Sequence, residues 1–177
     1  MEFSLLYNIP RTDFLDAFFL FFTNLPGSIG QLWLIVGIAL CIFKKTRKTG
    51  AAVLISFFGV LLFGELLLKH AVTRMRPCQI DRSFEMLVER PTSSSFPSTH
   101  SAFAFGAATA IFMNYRRAGA AVLIVAALVA FSRLYLFLHF PTDVLCGIVL
   151  GILMGFAAVK ICELSSDRNR LARKAHD

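Results

Sequence analysis

The chain has 177 residues, 56% of them hydrophobic and 16% charged, with a net charge of +7 and a mean hydropathy of +0.68. A soluble domain of this size carries about 25% charged residues, so the composition excludes an ordinary water-soluble globule and favours one membrane domain. It also argues against a nucleic-acid footprint, because the basic residues fall in short segments between apolar stretches.

The N-terminus, MEFSLLYNIPRTD, lacks a basic region followed by a long apolar core, and no cleaved signal peptide is read there. Thr12 to Asn24 is apolar but too short to span, carries Asp13 and Asp16 in its first turns, and is followed by Pro26-Gly27. These features predict an amphipathic helix lying at the membrane interface over 12–24, with a short re-entrant segment as the alternative. Five apolar stretches follow, near 28–43, 50–70, 99–115, 118–138 and 142–162. A span takes about 17–25 residues, and helices are the default because lipid cannot satisfy an open backbone. The expectation is an all-α polytopic membrane bundle of about five spans in a single domain over 1–177. It divides into the interfacial helix at 12–24, a helical core at 28–162 and a basic tail at 163–177.

Two further patterns concern packing. Gly147, Gly151 and Gly155 repeat a small-xxx-small spacing that lets a neighbouring helix approach closely. Packing within the bundle is the favoured use, and a homo-oligomer face the alternative. The four cysteines show no metal or redox spacing. Cys78 stands in a polar loop, where a membrane-impermeant thiol reagent is expected to reach it.

Charge sets the orientation. Lys44, Lys45, Arg47, Lys48, Arg116, Arg117, Lys160, Arg168, Arg170, Arg173 and Lys174 fall on one face of an alternating helical path, which is eleven of the eighteen Lys and Arg residues. By the positive-inside rule that face and the C-terminus are cytoplasmic. The loop from about 71 to 97 and the junction near 139 then lie outside, and the protein is placed in the plasma (inner) membrane.

Three polar blocks interrupt the apolar chain: Lys69…Arg76-Pro77, Pro97-Ser98-Thr99-His100, and Ser132-Arg133…His139…Asp143. They end the second span, open the third, and join the fourth to the fifth, so alternation brings all three to one membrane surface. Each has an unremarkable explanation alone. Lys69 and Arg76 suit interfacial snorkelling, Ser98 and Thr99 are ordinary helix caps, and a His–Asp pair is structural about as often as it is catalytic. Together they change the balance. Lys69, Arg76 and the planar fork of Arg133 suit a shared anion, as do the free N–H groups of the helix that begins at Ser98-Thr99. His100, which capping does not explain, is placed to donate a proton. Asp143 can accept from one imidazole nitrogen of His139 and leave the other as a nucleophile, with Ser132 supporting the corner. The set is suited to holding a phosphate and transferring it to a histidine. Three fixed cations argue against a metal held by the histidines and Asp143. Glu65, within the second span, is read as the buried partner of a basic residue.

These blocks resemble the signature of the type 2 phosphatidic acid phosphatase superfamily, K-x(6)-RP, PSGH and SR-x(5)-H-x(3)-D. The chain carries KHAVTRMRP from Lys69 to Pro77, PSTH from Pro97 to His100, and SRLYLFLHFPTD from Ser132 to Asp143. Spacing is kept within every block, and one position departs: Thr99 stands where the family pattern has glycine, so its side chain is expected to narrow the site or alter substrate preference. The resemblance implies that His139 attacks phosphorus to form a phosphohistidine, with Asp143 orienting it. His100 protonates the leaving oxygen, while Lys69, Arg76, Arg133 and the Ser98-Thr99 backbone stabilise the phosphate oxygens. It implies a lipid phosphate or diphosphate as substrate in the bilayer, no cofactor and no metal. By analogy with bacterial members and by orientation, undecaprenyl diphosphate is the first choice, followed by phosphatidylglycerol phosphate and phosphatidic acid. Phosphoryl transfer to another lipid is a competing enzymatic outcome, and a transporter or lipid-phosphate binding protein a competing class. Vanadium haloperoxidases share this type of signature, but the membrane composition makes them remote.

Overall fold

The structure, a computed structural model, describes residues 2–23 and 29–174. Asn24, Pro26-Gly27, the start of the first predicted span at residue 28 and the last residues of the tail, 175–177, lie outside the described residues. The fold is all-helical. In chain order it comprises α1 (Glu2–Tyr7), α2 (Asp13–Thr23), α3 (Ile29–Ile42) and α4 (Arg47–Val60). A π-helical segment (Leu61–Leu68) and α5 (Lys69–Ala71) continue α4, and α6 (Pro77–Ile80), α7 (Thr99–Asn114), α8 (Arg116–Tyr135) and α9 (Pro141–Lys174) complete the chain.

Among the described residues three helices are long and apolar enough to cross a membrane, Arg47–Ala71, Arg116–Tyr135 and Pro141–Ser166. The other two predicted spans are shorter, α3 at 14 residues and α7 at 16. The last helix outruns its predicted end at 162. Its 34 residues give about 50 Å at about 1.5 Å per residue, so much of the predicted tail continues the helix.

α7 is the centre of the bundle, in contact with α3, α4, the π segment, α8 and α9. Its buried surface is Ala102, Ala104, Gly106, Ala107, Ala108 and Ala110 beside Ile111, small enough for several helices to approach at once. The predicted glycine stripe is used here. A Cβ at Gly147, Gly151 or Gly155 would collide with the carbonyl oxygens of Ser98, Ala102 and Gly106 respectively. Both helices advance four residues per step, so backbone meets backbone along the whole seam. The homo-oligomer face offered as an alternative is therefore taken by α7 within the same chain.

A second core lies over one end of the bundle. There Leu6, Phe19, Cys78, Tyr135, Leu136, Phe137, Leu138 and Phe140 are buried together, with Phe3 and Phe84 packed against them. α2 runs along α8, with the Phe19 ring 4.5 Å from Tyr135, and the Tyr135 hydroxyl donates to Asp16 at 2.5 Å. Cys78 is fully buried rather than loop-exposed, because α6 turns it inward beneath the aromatic residues. At the opposite end the Tyr115 hydroxyl donates to Lys45 O at 2.8 Å, joining the two basic turns.

Candidate active site

The π segment hands the chain to Lys69, and the helix stops at Ala71 as Val72 turns extended. Lys69 Nζ donates to both oxygens of Glu65 at 2.8 Å and to Thr99 Oγ1 at 3.4 Å. Glu65 is thus the partner of a basic residue, as expected. Arg76, buried, uses all five of its donors on the protein. Nε donates to Ser93 O at 2.9 Å, and Nη2 to Ser93 Oγ at 3.1 Å and Ser94 O at 3.2 Å. Nη1 donates to Leu138 O at 3.1 Å and to His139 Nε2 at 3.0 Å. The fork expected to face an anion is therefore partnered, and its nearest site contact is the histidine.

Ser98 is the residue before α7, but its hydroxyl caps nothing and pairs instead with Ser101 Oγ at 3.0 Å. Its N–H donates to Asp143 O at 3.0 Å, tying the start of α7 to the first turn of α9. Ala102 N to Ser98 O is the first rung of the α7 ladder, which leaves the N–H groups of Thr99, His100 and Ser101 outside it. The extra bulk of Thr99 is accommodated by Gly64, since a Cβ there would sit 3.3 Å from the Thr99 methyl.

The five residues between Arg133 and His139 form a helix-ending turn. Phe137 N donates to Leu134 O at 3.0 Å and Leu138 N to Arg133 O at 3.1 Å, with Phe137 at φ 59°. This is the Schellman arrangement, in which the left-handed position usually holds glycine. Phenylalanine costs about 1–2 kcal/mol there, offset by a ring that is almost wholly buried and stacked on Phe84 at 4.0 Å. The turn carries His139 N to 3.3 Å from Arg133 O, so the spacing of block three has a mechanical cause. Arg133 Nε and Nη2 donate to Ser132 Oγ at 3.1 and 3.0 Å, and Nη2 also to Thr23 Oγ1 of α2. Ser132 supports the corner as read from sequence.

One direct pairing is corrected. His139 Nδ1 lies 3.9 Å from Asp143 Oδ2, and its proton goes to Ser95 O at 2.7 Å. Asp143 is fully buried but otherwise engaged. Oδ2 accepts from Ser95 Oγ at 2.5 Å and Phe140 N at 2.9 Å, and Oδ1 from Arg74 Nη1 at 2.7 Å. The four-residue spacing brings side chains together on a helix, but α9 begins at Pro141 and His139 lies before it. Asp143 instead closes the first turn of α9 through the Phe140 N–H, the role of an acidic residue three places into a helix.

Burial, and next the Arg76 guanidinium, hold His139 well below the ordinary imidazole range. Its proton sits on Nδ1 and its lone pair on Nε2, facing Arg76. Lys69, Arg76, Thr99, His100, Arg133 and His139 all line one cavity of about 520 Å³. Ser98 and Asp143 do not; they lie behind its wall. Among the described residues no hydrogen bond holds His100, whose ring faces the cavity unengaged. Sequence reasoning missed Ser93, Ser94, Ser95 and Arg74. The serine run and the third cation of block one were the available signals, but nothing local showed that they fold onto residues between 17 and 69 places away.

Residues 49–166 match the model of the PAP2 superfamily. The chain belongs to that superfamily. It is 34% identical over 131 residues to the undecaprenyl-diphosphatase of Sulfolobus acidocaldarius, a match covering 73% of this chain and 63% of that protein, less than two thirds of its length. The transmembrane PAP2 type phosphatidylglycerolphosphate phosphatase of Bacillus subtilis shares the fold with a TM-score of 0.69 at 30% identity, over 90% of this chain and 82% of that one. Aquifex aeolicus LpxE gives 0.70 at 30% identity, over 89% and 92%. All three polar blocks of this PAP2 member fall inside the matched region, whereas α1, α2 and α3 precede it.

Proposed function

We propose that the protein is a lipid phosphate or diphosphate phosphatase acting through a phosphohistidine on His139, with undecaprenyl diphosphate at the outer membrane surface as its substrate. One observation carries the reading: His139 Nε2 and the free His100 ring line the same cavity as Lys69, Arg76 and Arg133. Anion binding needs the cations but neither an oriented nucleophile nor an acid.

In this mechanism a phosphate drawn among the cations takes over N–H donors of Arg76 and frees the lone pair on Nε2. Nε2 attacks phosphorus, the P–N bond forms as the bond to the leaving oxygen breaks, and that oxygen takes the proton of His100. Water then adds to phosphorus, gives its proton to His100, and inorganic phosphate leaves with His139 restored. The cations and the first N–H groups of α7 stabilise charge on the remaining oxygens, which is the larger part of phosphoryl-transfer catalysis. The name of the Sulfolobus relative supports the diphosphate. Collection of the basic turns at the end opposite the cavity supports an outward-facing site. The similarity to the Bacillus subtilis structure favours phosphatidylglycerol phosphate as the second reading. A lipid phosphotransferase is distinguished by loss of phosphate release when a lipid acceptor is added.

The test is phosphate release by detergent-solubilised protein from a panel of lipid phosphates and diphosphates. Undecaprenyl diphosphate is expected to be fastest, EDTA to leave the rate intact, and His139→Ala to abolish release while the protein stays folded. Turnover in that variant sinks the nucleophile, and a collapse in EDTA restored by a divalent cation reinstates a metal. Binding without release from any lipid in the panel points to the non-enzymatic class.

A further inference from the structure

His139 is oriented without touching the carboxylate that its spacing offered, so something else must fix the imidazole. Its Nδ1 proton goes to the carbonyl of Ser95, and Ser95 is itself held at two points, by Arg74 and by Asp143. Ser95 N donates to Arg74 O at 2.8 Å. Ser95 Oγ donates at 2.5 Å to Asp143, whose other oxygen accepts from Arg74 Nη1 at 2.7 Å. Arg74, Ser95 and Asp143 thus close a ring behind the histidine, and the Arg74 guanidinium carbon lies over the Phe140 ring, 4.3 Å from its centroid.

The ring is fastened from outside the family region. Glu2, in α1, accepts from Arg74 Nη2 at 2.5 Å with Oε2. Its Oε1 accepts from Thr142 Oγ1 at 2.7 Å and Thr142 N at 3.2 Å. Behind Glu2, Phe3 meets Phe137 and Phe140 at 6.0 and 5.2 Å, and Leu6 is buried. α1, which lies outside the matched residues 49–166, is therefore packed onto the turn that carries His139.

We propose that Arg74, Ser95 and Glu2 are positioning residues, which fix the Nδ1–H tautomer of His139 through the Ser95 carbonyl and so aim Nε2 into the cavity. The proposal rests on the reading of His139 as nucleophile. A carbonyl is a neutral acceptor, so the tautomer depends on where the ring places that oxygen rather than on an ion pair. None of the three side chains lines the cavity, so substrate affinity is not their province.

The effect on turnover follows. Ser95→Ala and Arg74→Met are expected to lower kcat for a lipid phosphate about 10–100-fold with KM unchanged. Ser95→Thr, which restores the hydroxyl, should recover most of the loss. Glu2→Gln removes one partly exposed ion pair and should cost about two- to fivefold. Burial opposes ionisation of Glu2, but hydrogen bonds from Thr142 and Arg74 hold its carboxyl below the ordinary range. A lowered carboxyl keeps its contribution above its unfolded pKa and loses it only as pH falls through the folded value. The Glu2→Gln factor should therefore stay constant from about pH 6 to 8.

The decisive measurement is ¹⁵N NMR of histidine-labelled full-length protein in detergent, with the His139 signal assigned by its loss in His139→Asn. Wild type is expected to show His139 protonated at Nδ1, Ser95→Ala and Arg74→Met a mixture of tautomers, and Ser95→Thr the wild-type pattern. A single unchanged Nδ1–H tautomer in folded Ser95→Ala and Arg74→Met overturns the proposal, and so does a kcat loss that Ser95→Thr fails to recover. If Ser95→Ala and Arg74→Met do not fold, Glu2→Gln and Ser95→Thr decide: a wild-type rate in Glu2→Gln overturns the part of Glu2. The NMR readout does not depend on turnover, so an inactive wild type with the expected tautomers would count against the phosphatase reading alone.

Discussion

Along the seam between α7 and α9, glycines and alanines let backbone touch backbone, and every contact repeats at four residues. Over the site, α1 and the loop before α7 meet the Arg133–His139 turn through stacked phenylalanines and through guanidinium and carboxylate groups spread across the chain. The difference follows from what each region must fix. The seam sets where Ser98 and Asp143 lie to within a helical turn, and periodic small residues are enough for that. The cap must aim one imidazole nitrogen, which takes directional hydrogen bonds from several elements. Damage to the seam should therefore unfold the protein, whereas loss of the cap's hydrogen bonds should slow it.

Four experiments press on this comparison. The largest effect is expected from Gly151→Leu, which has no room against the carbonyl of Ala102. Overpacking costs about 1–3 kcal/mol even where a core can adjust, and a backbone neighbour adjusts least. Thermal unfolding in detergent should show a large loss, and an unchanged midpoint would mean the seam is not close-packed. Next come two variants at Phe137. Loss of the ring costs about 3–5 kcal/mol, but glycine relieves a backbone strain of about 1–2 kcal/mol that alanine keeps. The order of unfolding midpoints should be wild type, then Phe137→Gly, then Phe137→Ala; alanine above glycine would contradict the left-handed turn.

A smaller change is expected from Thr99→Gly, which restores the family residue, frees Lys69 of its Thr99 contact and empties space over Gly64. Kinetics on the lipid panel should show the second-ranked substrate gaining on the first by up to about tenfold, without loss of fold. A ranking that does not move would assign Thr99 to packing alone. The last experiment costs no stability. Burial both hides Cys78 and pushes its thiol up, so the labelling expected from sequence should fail in the folded protein. Ser83→Cys, exposed in the same loop, should react in intact cells with an impermeant thiol reagent if the site faces outward. Protection of that cysteine would reverse the topology.

Much of the bundle was legible. Apolar runs and their charged interruptions marked the helices, and alternation alone put the three blocks at one end. The glycine spacing announced close packing, though not which helix would fill it. What failed was reach. His139 and Asp143 looked paired because they are four apart, but Pro141 starts the helix between them and the spacing rule stops at its first turn. Ser95, 44 residues before His139, carried no local pattern that pointed to it. Cys78 looked exposed because its neighbours are polar, whereas the aromatic residues covering it come from α2, the Arg133–His139 turn and the loop at Phe84.

The sequence by itself determined a helical membrane chain, the family, and the residue types gathered at one end. Hydropathy, helix length and motif spacing are local quantities, and each can be read along the chain. Only the tertiary structure decided which nitrogen of His139 faces the cavity, that Asp143 bonds to Ser95 and Arg74 rather than to His139, and that Glu2 bonds to Arg74 and Thr142. Those depend on hydrogen-bond directions between segments far apart in the chain, which no periodicity records.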